Sequence, residues 1–191
     1  MRIETVGVYG IDESIVASKY PMATDVSELT NEITSTQIAL GTSEIGSGHD
    51  NYLNGITVIF DLTCSIKMWT EAQRYHFLNF ISSQSTMHRI TQLDLRSHCN
   101  KYVWEMTIVS LEASVARYNA LEDKSSIEAQ ELYLEILYNV PTGFELTARM
   151  TTNYRQLKTM VSQRKNHKLP EWRYFTSWCM TLPKFSTLTQ R

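Results

Sequence analysis

No run of about 18 or more apolar residues occurs in the 191-residue chain, so no bilayer-spanning helix is expected. A basic excess is missing too. Lys and Arg number 18 against 20 Asp and Glu, for a formal charge of −2. That balance argues against nucleic acid or an anionic membrane surface as partner, while leaving room for a local cationic pocket. Cysteine is scarce: Cys64, Cys99 and Cys179 are odd in number, far apart and form no CxxC pair. They read as reduced thiols of a cytoplasmic protein rather than a disulfide frame. The five histidines contain no HExxH spacing, so no metal site is expected. The opening "MRIETVGVYG" lacks the charged-then-apolar order of a signal peptide. There is no internal repeat, low-complexity tail or linker, and residues 1–191 read as a single domain.

What is present is apolar patterning, with 42% hydrophobic residues, enough for a real core. "RIETVGVYG" reads as a strand and "ESIVASKY" as a short helix. "SELTNEITSTQIALG" predicts a helix capped by Ser27 or Thr30 and ended by Gly41. The glycines of "GTSEIGSGHD" make a loop. In "NGITVIFDL", Ile56, Val58, Phe60 and Leu62 alternate with Thr57, Ile59 and Asp61, which predicts a strand with one better-buried face. "CSIKMWTEAQRYHFLNFIS" carries Ile66, Trp69, Gln73, His76 or Phe77, and Phe80 at helical spacing, which predicts a helix, and Trp69, Phe77 and Phe80 are expected in the core. "SQSTMHRITQLDLRSHCNKY" reads as loop and extended chain. A helix follows with Trp104, Ile108, Leu111, Val115 and Tyr118 along its buried stripe, then another, "SIEAQELYLEILYNV", stopped by Pro141. "TTNYRQLKTMVSQRKNHKLPEW" predicts a further helix, and "EWRYFTSWCMTL" the last one. The order implies an α+β fold, helix-rich with a small sheet, ahead of an α/β one.

Residues 151–172 pose a question. At about 100° per residue, Leu157, Met160 and Val161 define the apolar stripe, and Asn153 and Arg164 fall close to it, while Arg155 falls on the far side. An inward guanidinium requires an anion or several acceptors. A protein carboxylate would serve; so would a ligand phosphate or polarised carbonyl, which its donor fork also fits. A second collection, His49, Arg74, His76, His88 and Arg89, brackets one strand–helix unit. It suits a polyanion such as a nucleotide or dinucleotide, but composition alone favours the plainer reading, with Arg74 and His76 on a solvated helix face and His49 in a loop.

The two collections together resemble the flavin-dependent thymidylate synthases. "ASKYPM" is loosely similar to that family's Ala-Arg-Val-Ser-Phe region. "SGHDNYLNGITVIFDL" resembles its Gly-His pair and following strand, "QRYHF" falls where its Arg-His-Arg motif stands, and "SSQSTMHR" resembles its Ser-x-Arg segment. "PTGFELTARMTTNYRQL" keeps a Thr-x-Asn-x-Arg-x-Leu signature, and "SQRKNHKLPEW" resembles the segment after it, with Arg164 in register. The likeness runs over about Gly48–Trp172.

The resemblance implies FAD held where the subunits of a homotetramer meet, with active sites shared between them. It implies dUMP methylated at C5 to dTMP, with methylene-tetrahydrofolate as carbon donor and NADPH or NADH as reductant. By the same resemblance Arg164 is the catalytic group and a substrate contact, stabilising charge at the pyrimidine. His49, Asn51, Arg74, His76, Asn153, Arg155 and His167 would contact FAD, and Ser85 and Arg89 the nucleotide phosphate. The shortness of the chain for such an enzyme is what points to a phage or other mobile element as its source.

The departures are specific. Arg-His-Arg becomes Arg74-Tyr75-His76; "NFISSQ" stands where an Asn-Glu pair is usual; Arg89 lies four residues after Ser85; "LEILYNV" holds no arginine before Pro141; and Glu171-Trp172 inverts the usual order. Arg96, Lys101 or Arg149 are the cations that could compensate. Two alternatives therefore stand beside dUMP methylation: C5 modification of another pyrimidine nucleotide, and a non-catalytic nucleotide-binding relative.

Overall fold

A computed structural model of the chain describes residues 1–190. In chain order it contains β1 (Arg2–Tyr9), α1 (Ile11–Ala17), α2 (Ser35–Gly41), β2 (Thr57–Ser65), α3 (Ile66–Ala72), β3 (Asn79–Ser83), α4 (Thr86–Arg89) and α5 (Leu95–His98). Then come α6 (Glu105–Ala120), α7 (Ile127–Tyr138), β4 (Glu145–Asn153), α8 (Tyr154–Arg164), α9 (Pro170–Cys179) and α10 (Phe185–Thr189). The strands form one antiparallel sheet ordered β1-β2-β4-β3, and about 49% of the chain is helical. The expected α+β class, helix-rich with a small sheet, is what the chain adopts.

The β2–β4 pair carries the sheet. Thr63 sits opposite Thr147, their hydroxyls 2.8 Å apart, and Asp61 sits opposite Arg149 in a two-pronged ion pair with both contacts at 2.8 Å. Tyr154 N donates to the Ile56 carbonyl at 3.1 Å, extending the same register. On one face of β2, Val58, Phe60, Leu62 and Cys64 are buried, as the alternation predicts.

The chain packs into two compact units. The first comprises 1–2, 62–74 and 82–148; the second comprises 3–61, 75–81 and the chain from Arg149 onward. In the first, Leu111 and Val115 of α6 and Leu132 and Ile136 of α7 gather with Ile90, Leu95 and Phe144 into one apolar cluster. Ser126 caps α7 by accepting from Ala129 N at 3.2 Å, and the Lys124 ammonium donates to the carbonyls of Tyr118, Asn119 and Leu121, where the helix dipole of α6 favours a cation.

In the second unit α8 and α9 supply the core. Leu157, Met160 and Val161 are buried as the helical spacing predicts, and so are Trp172, Phe175, Trp178 and Cys179. Phe60 packs its ring 4.6 Å from Trp178 and 6.1 Å from Phe175. Tyr154 meets Phe185 edge-on at 5.0 Å. Gly10 begins α1 with φ 79°, and a Cβ there would run into the Gly55 carbonyl, so both strain and space demand glycine.

Several expectations are corrected. The helix ending at Gly41 begins at Ser35, not near Ser27: Thr34 caps it, with Gln37 completing a capping box. The helix begun at Ile66 stops at Ala72, and Asn79–Ser83 is an edge strand exposed along its whole length. Trp69 is buried, but Phe77 and Phe80 are exposed, and Trp104 is 82% exposed at the N-terminus of α6. The stretch after Ser83 forms short helices rather than extended chain. Thr151–Asn153 ends β4 instead of starting a helix, and α10 follows α9.

Candidate functional site

The second unit holds two arrangements built on α8. The first is centred on Asp50, a residue almost absent from solvent in the turn before β2. Its carboxylate accepts from Arg155 Nε at 2.9 Å and from Lys158 Nζ at 2.7 Å; Lys158 also donates to the Ser43 carbonyl at 2.7 Å. Arg155 and Lys158 stand one turn apart at the start of α8, so one helix face presents two cations to one acid. Burial of Asp50 and Lys158 demands this pairing, because either charge alone would be uncompensated. The neighbouring Tyr52 hydroxyl donates to the Gln37 carbonyl at 2.8 Å, and burial, then the charge of Asp50, push its ionisation well above the ordinary tyrosine value. The consequence is a rigid turn that carries exposed His49 and Asn51 on either side of Asp50. His49 also lines a surface cavity of about 520 Å³ with Ser35, Thr36, Ala39, Leu40 and Ser43.

Arg155 is therefore not turned away from the protein. The helical angles were right, but the loop of residues 43–50 folds over that side of α8 and meets it with an acid. Asn153 is the converse correction. It lies at the end of β4 as the N-cap of α8, its side chain accepting from Gln156 N at 3.0 Å.

The second arrangement surrounds Arg164 at the other end of α8. Its Nε donates to the Tyr75 hydroxyl at 2.8 Å, and its Cζ lies 4.7 Å from the Trp172 ring centre and 5.4 Å from that of Tyr75. The Tyr75 and Trp172 rings meet edge-on at 5.8 Å. His167 approaches the same indole at 6.4 Å, and its Nδ1 accepts from Leu169 N at 3.2 Å. An arginine at the end of the apolar stripe is thus met by aromatic faces and a hydroxyl, an arrangement that favours a guanidinium electrostatically. His76 follows Tyr75 and is exposed.

Arg74, Ser85 and Arg89 lie in the first unit. Arg74 is exposed just past the end of α3, Ser85 is half-buried before α4, and Arg89 is exposed with Nη1 donating to Gln92 at 2.7 Å. Two cations considered as compensation are engaged by acids: Arg96 by Glu105 and Glu112, and Arg149 by Asp61. Lys101 lies over the exposed Tyr102 ring. His98 is structural, stacked on Phe144 with Nδ1 2.7 Å from the Glu145 carbonyl. Among the described residues, no three His, Cys, Asp or Glu side chains are placed to hold a metal, and no helix is long and apolar enough to cross a membrane.

Sequence reasoning missed Asp50, Lys158 and Tyr75. Asp50 carried one usable signal, an acid beside the Gly-His pair and just ahead of an apolar strand.

The structure resembles thymidylate synthase X from Helicobacter pylori solved with FAD and dUMP, with a TM-score of 0.72 at 12% identity, covering 98% of this chain and 95% of that one. A second structure of the flavin-dependent enzyme from the same organism, complexed with FAD and dUMP, gives 0.67 at 13% identity, covering 98% and 96%. A UMP/dUMP methylase from Streptomyces cacaoi bound with 5-Br dUMP gives 0.63 at 13% identity, covering 98% and 91%. No protein-family model matches the chain, and no curated protein matches it. The chain has the fold of the flavin-dependent thymidylate synthases.

Proposed function

We propose that this chain methylates a uridine nucleotide at C5, with dUMP as substrate, FAD as cofactor, methylene-tetrahydrofolate as carbon donor and NAD(P)H as reductant, working as a homotetramer. The observation that carries the reading is the fold likeness over nearly the whole chain to proteins solved with FAD and dUMP.

The residues present fit a flavin dinucleotide. Arg155 uses Nε on Asp50 and remains about a quarter exposed, so its fork is available to a diphosphate. The rigid turn at Asp50 sets His49 and Asn51 beside it in sequence, and Arg74 and His76 add cationic or hydrogen-bonding groups. Bound FAD would supply the hydride chemistry. The chain's own task is to bind, orient and stabilise charge. Arg164 meets the pyrimidine carbonyl and stabilises charge as C5 becomes nucleophilic. By the resemblance, His167 and Asn153 would be flavin contacts, and Ser85 and Arg89 would contact the nucleotide phosphate.

The deciding experiment is a visible spectrum of purified protein with added FAD, followed by dUMP titration and an assay of dTMP formation with the folate and NADPH. A flavin spectrum that shifts with dUMP, followed by turnover, is the expected result. Flavin binding without a response to dUMP overturns the dUMP reading.

One observation favours a second substrate. A structural neighbour is described as acting on both UMP and dUMP, and this chain has Tyr75-His76 where the resemblance expects His-Arg. Parallel titrations with UMP and dCMP separate the readings: a response to UMP comparable with that to dUMP assigns a broader nucleotide range.

A further inference from the structure

We infer that Tyr75 is a positioning residue that sets the orientation of Arg164, with Trp172 as the fixed wall against which it is held. This rests on the reading of Arg164 as the group that meets the pyrimidine.

Arginine has a long, rotamer-rich side chain, and a guanidinium that must meet a planar acceptor works only in one plane. Here two contacts of the guanidinium, and one that anchors its acceptor, bear on that plane. The Tyr75 hydroxyl accepts from Nε at 2.8 Å. The same hydroxyl donates to Gln163 Oε1 at 2.8 Å, so its proton is committed elsewhere and a lone pair faces the arginine. The Trp172 ring lies 4.7 Å from Cζ. Trp172 is fully buried and meets Phe175 edge-on at 5.7 Å, so this wall belongs to the core and does not adapt. Because the guanidinium is planar, fixing Nε and one face fixes where Nη1 and Nη2 point. Gln163 precedes Arg164 on α8, so the relay Gln163–Tyr75–Arg164 returns to the helix it starts from. A phenylalanine at 75 would keep the ring and lose the acceptor.

The test uses the full chain and two readouts. In a ¹⁵N-edited NMR spectrum of the guanidinium Nε–H region, the Arg164 signal is identified by its loss in Arg164→Lys. The expected wild-type signal is ring-shifted and slow to exchange with solvent. Tyr75→Phe is expected to move it and to speed its exchange about ten-fold or more, with the backbone amide spectrum otherwise unchanged. An Arg164 signal indifferent to Tyr75→Phe overturns the inference. In the methylation assay, Tyr75→Phe is expected to lower kcat about ten-fold while the KM for dUMP stays within about two-fold, since orientation acts on the reacting state. The double variant with Arg164→Lys is expected to be no slower than Arg164→Lys alone. An unchanged kcat in Tyr75→Phe also overturns it. If the wild-type protein turns over no nucleotide, the proposed function falls, and the NMR result still decides whether Tyr75 holds Arg164. Trp172→Phe is the second variant, expected to shift the same Arg164 signal while retaining an aromatic wall.

Discussion

Asp50 and Lys158 form a salt bridge of 2.7 Å with side chains only 2% and 6% exposed, across 108 residues of sequence. It ties the turn bearing His49 and Asn51 to the second turn of α8. A buried pair of this kind contributes less through its own attraction than through the penalty for breaking it.

Asp50→Asn is expected to destabilise the protein by about 3–5 kcal/mol, because the Lys158 ammonium stays buried without its counter-charge. Replacing both partners with apolar residues, Asp50→Leu with Lys158→Met, is expected to cost less than Asp50→Asn alone. Urea denaturation of the three variants checks the order. A double variant worse than the single would show that the turn needs the charge and not merely the filled space.

Tyr52 predicts an alkaline limit. Its folded ionisation lies above the ordinary value because of burial and the charge of Asp50. Its contribution to stability is therefore complete below about pH 10, the unfolded value, and is lost as pH rises above it. Thermal midpoints between neutral pH and pH 11 are expected to fall less steeply in Tyr52→Phe than in wild type. Equal slopes would remove Tyr52 as a source of the loss.

Asn153 can be separated into two roles. As the N-cap of α8 it is worth about 1 kcal/mol, lost in Asn153→Ala. Asn153→Asp keeps the cap, so its melting temperature is expected to stay near wild type. If Asn153 also touches the flavin, the aspartate variant is expected to bind FAD more weakly despite its intact stability, measured by flavin fluorescence titration.

Thr34 gives a local test of the corrected start of α2. Thr34→Ala is expected to cost about 0.5–2 kcal/mol by chemical denaturation, because it removes the Thr34 half of the capping box. Thr30→Ala, at the cap position read from the sequence, is expected to cost nothing measurable.

What the sequence by itself determined is the set of elements whose pattern is local and long. β2 was legible because four apolar residues alternate without interruption. α6 and α7 were legible because their buried positions recur over several turns. The apolar stripe of α8 and the placement of Arg164 at its end were legible for the same reason, as was the likeness of its motif to a flavin enzyme family. β3 and β4 were not. β4 buries Ala148, Met150 and Thr152, one small, one unbranched and one polar residue, a set poor in the large β-branched and aromatic side chains that mark a strand, and its last residues merge into a helical pattern. Only the tertiary structure decided which partners the charges take. Asp50 lies 105 residues from Arg155, and Tyr75 lies 89 residues from Arg164. No local period encodes such a pairing. It follows from how the turn before β2 and the segment after α3 pack on α8, and burial then forces each charge to find the group that this packing brings within reach.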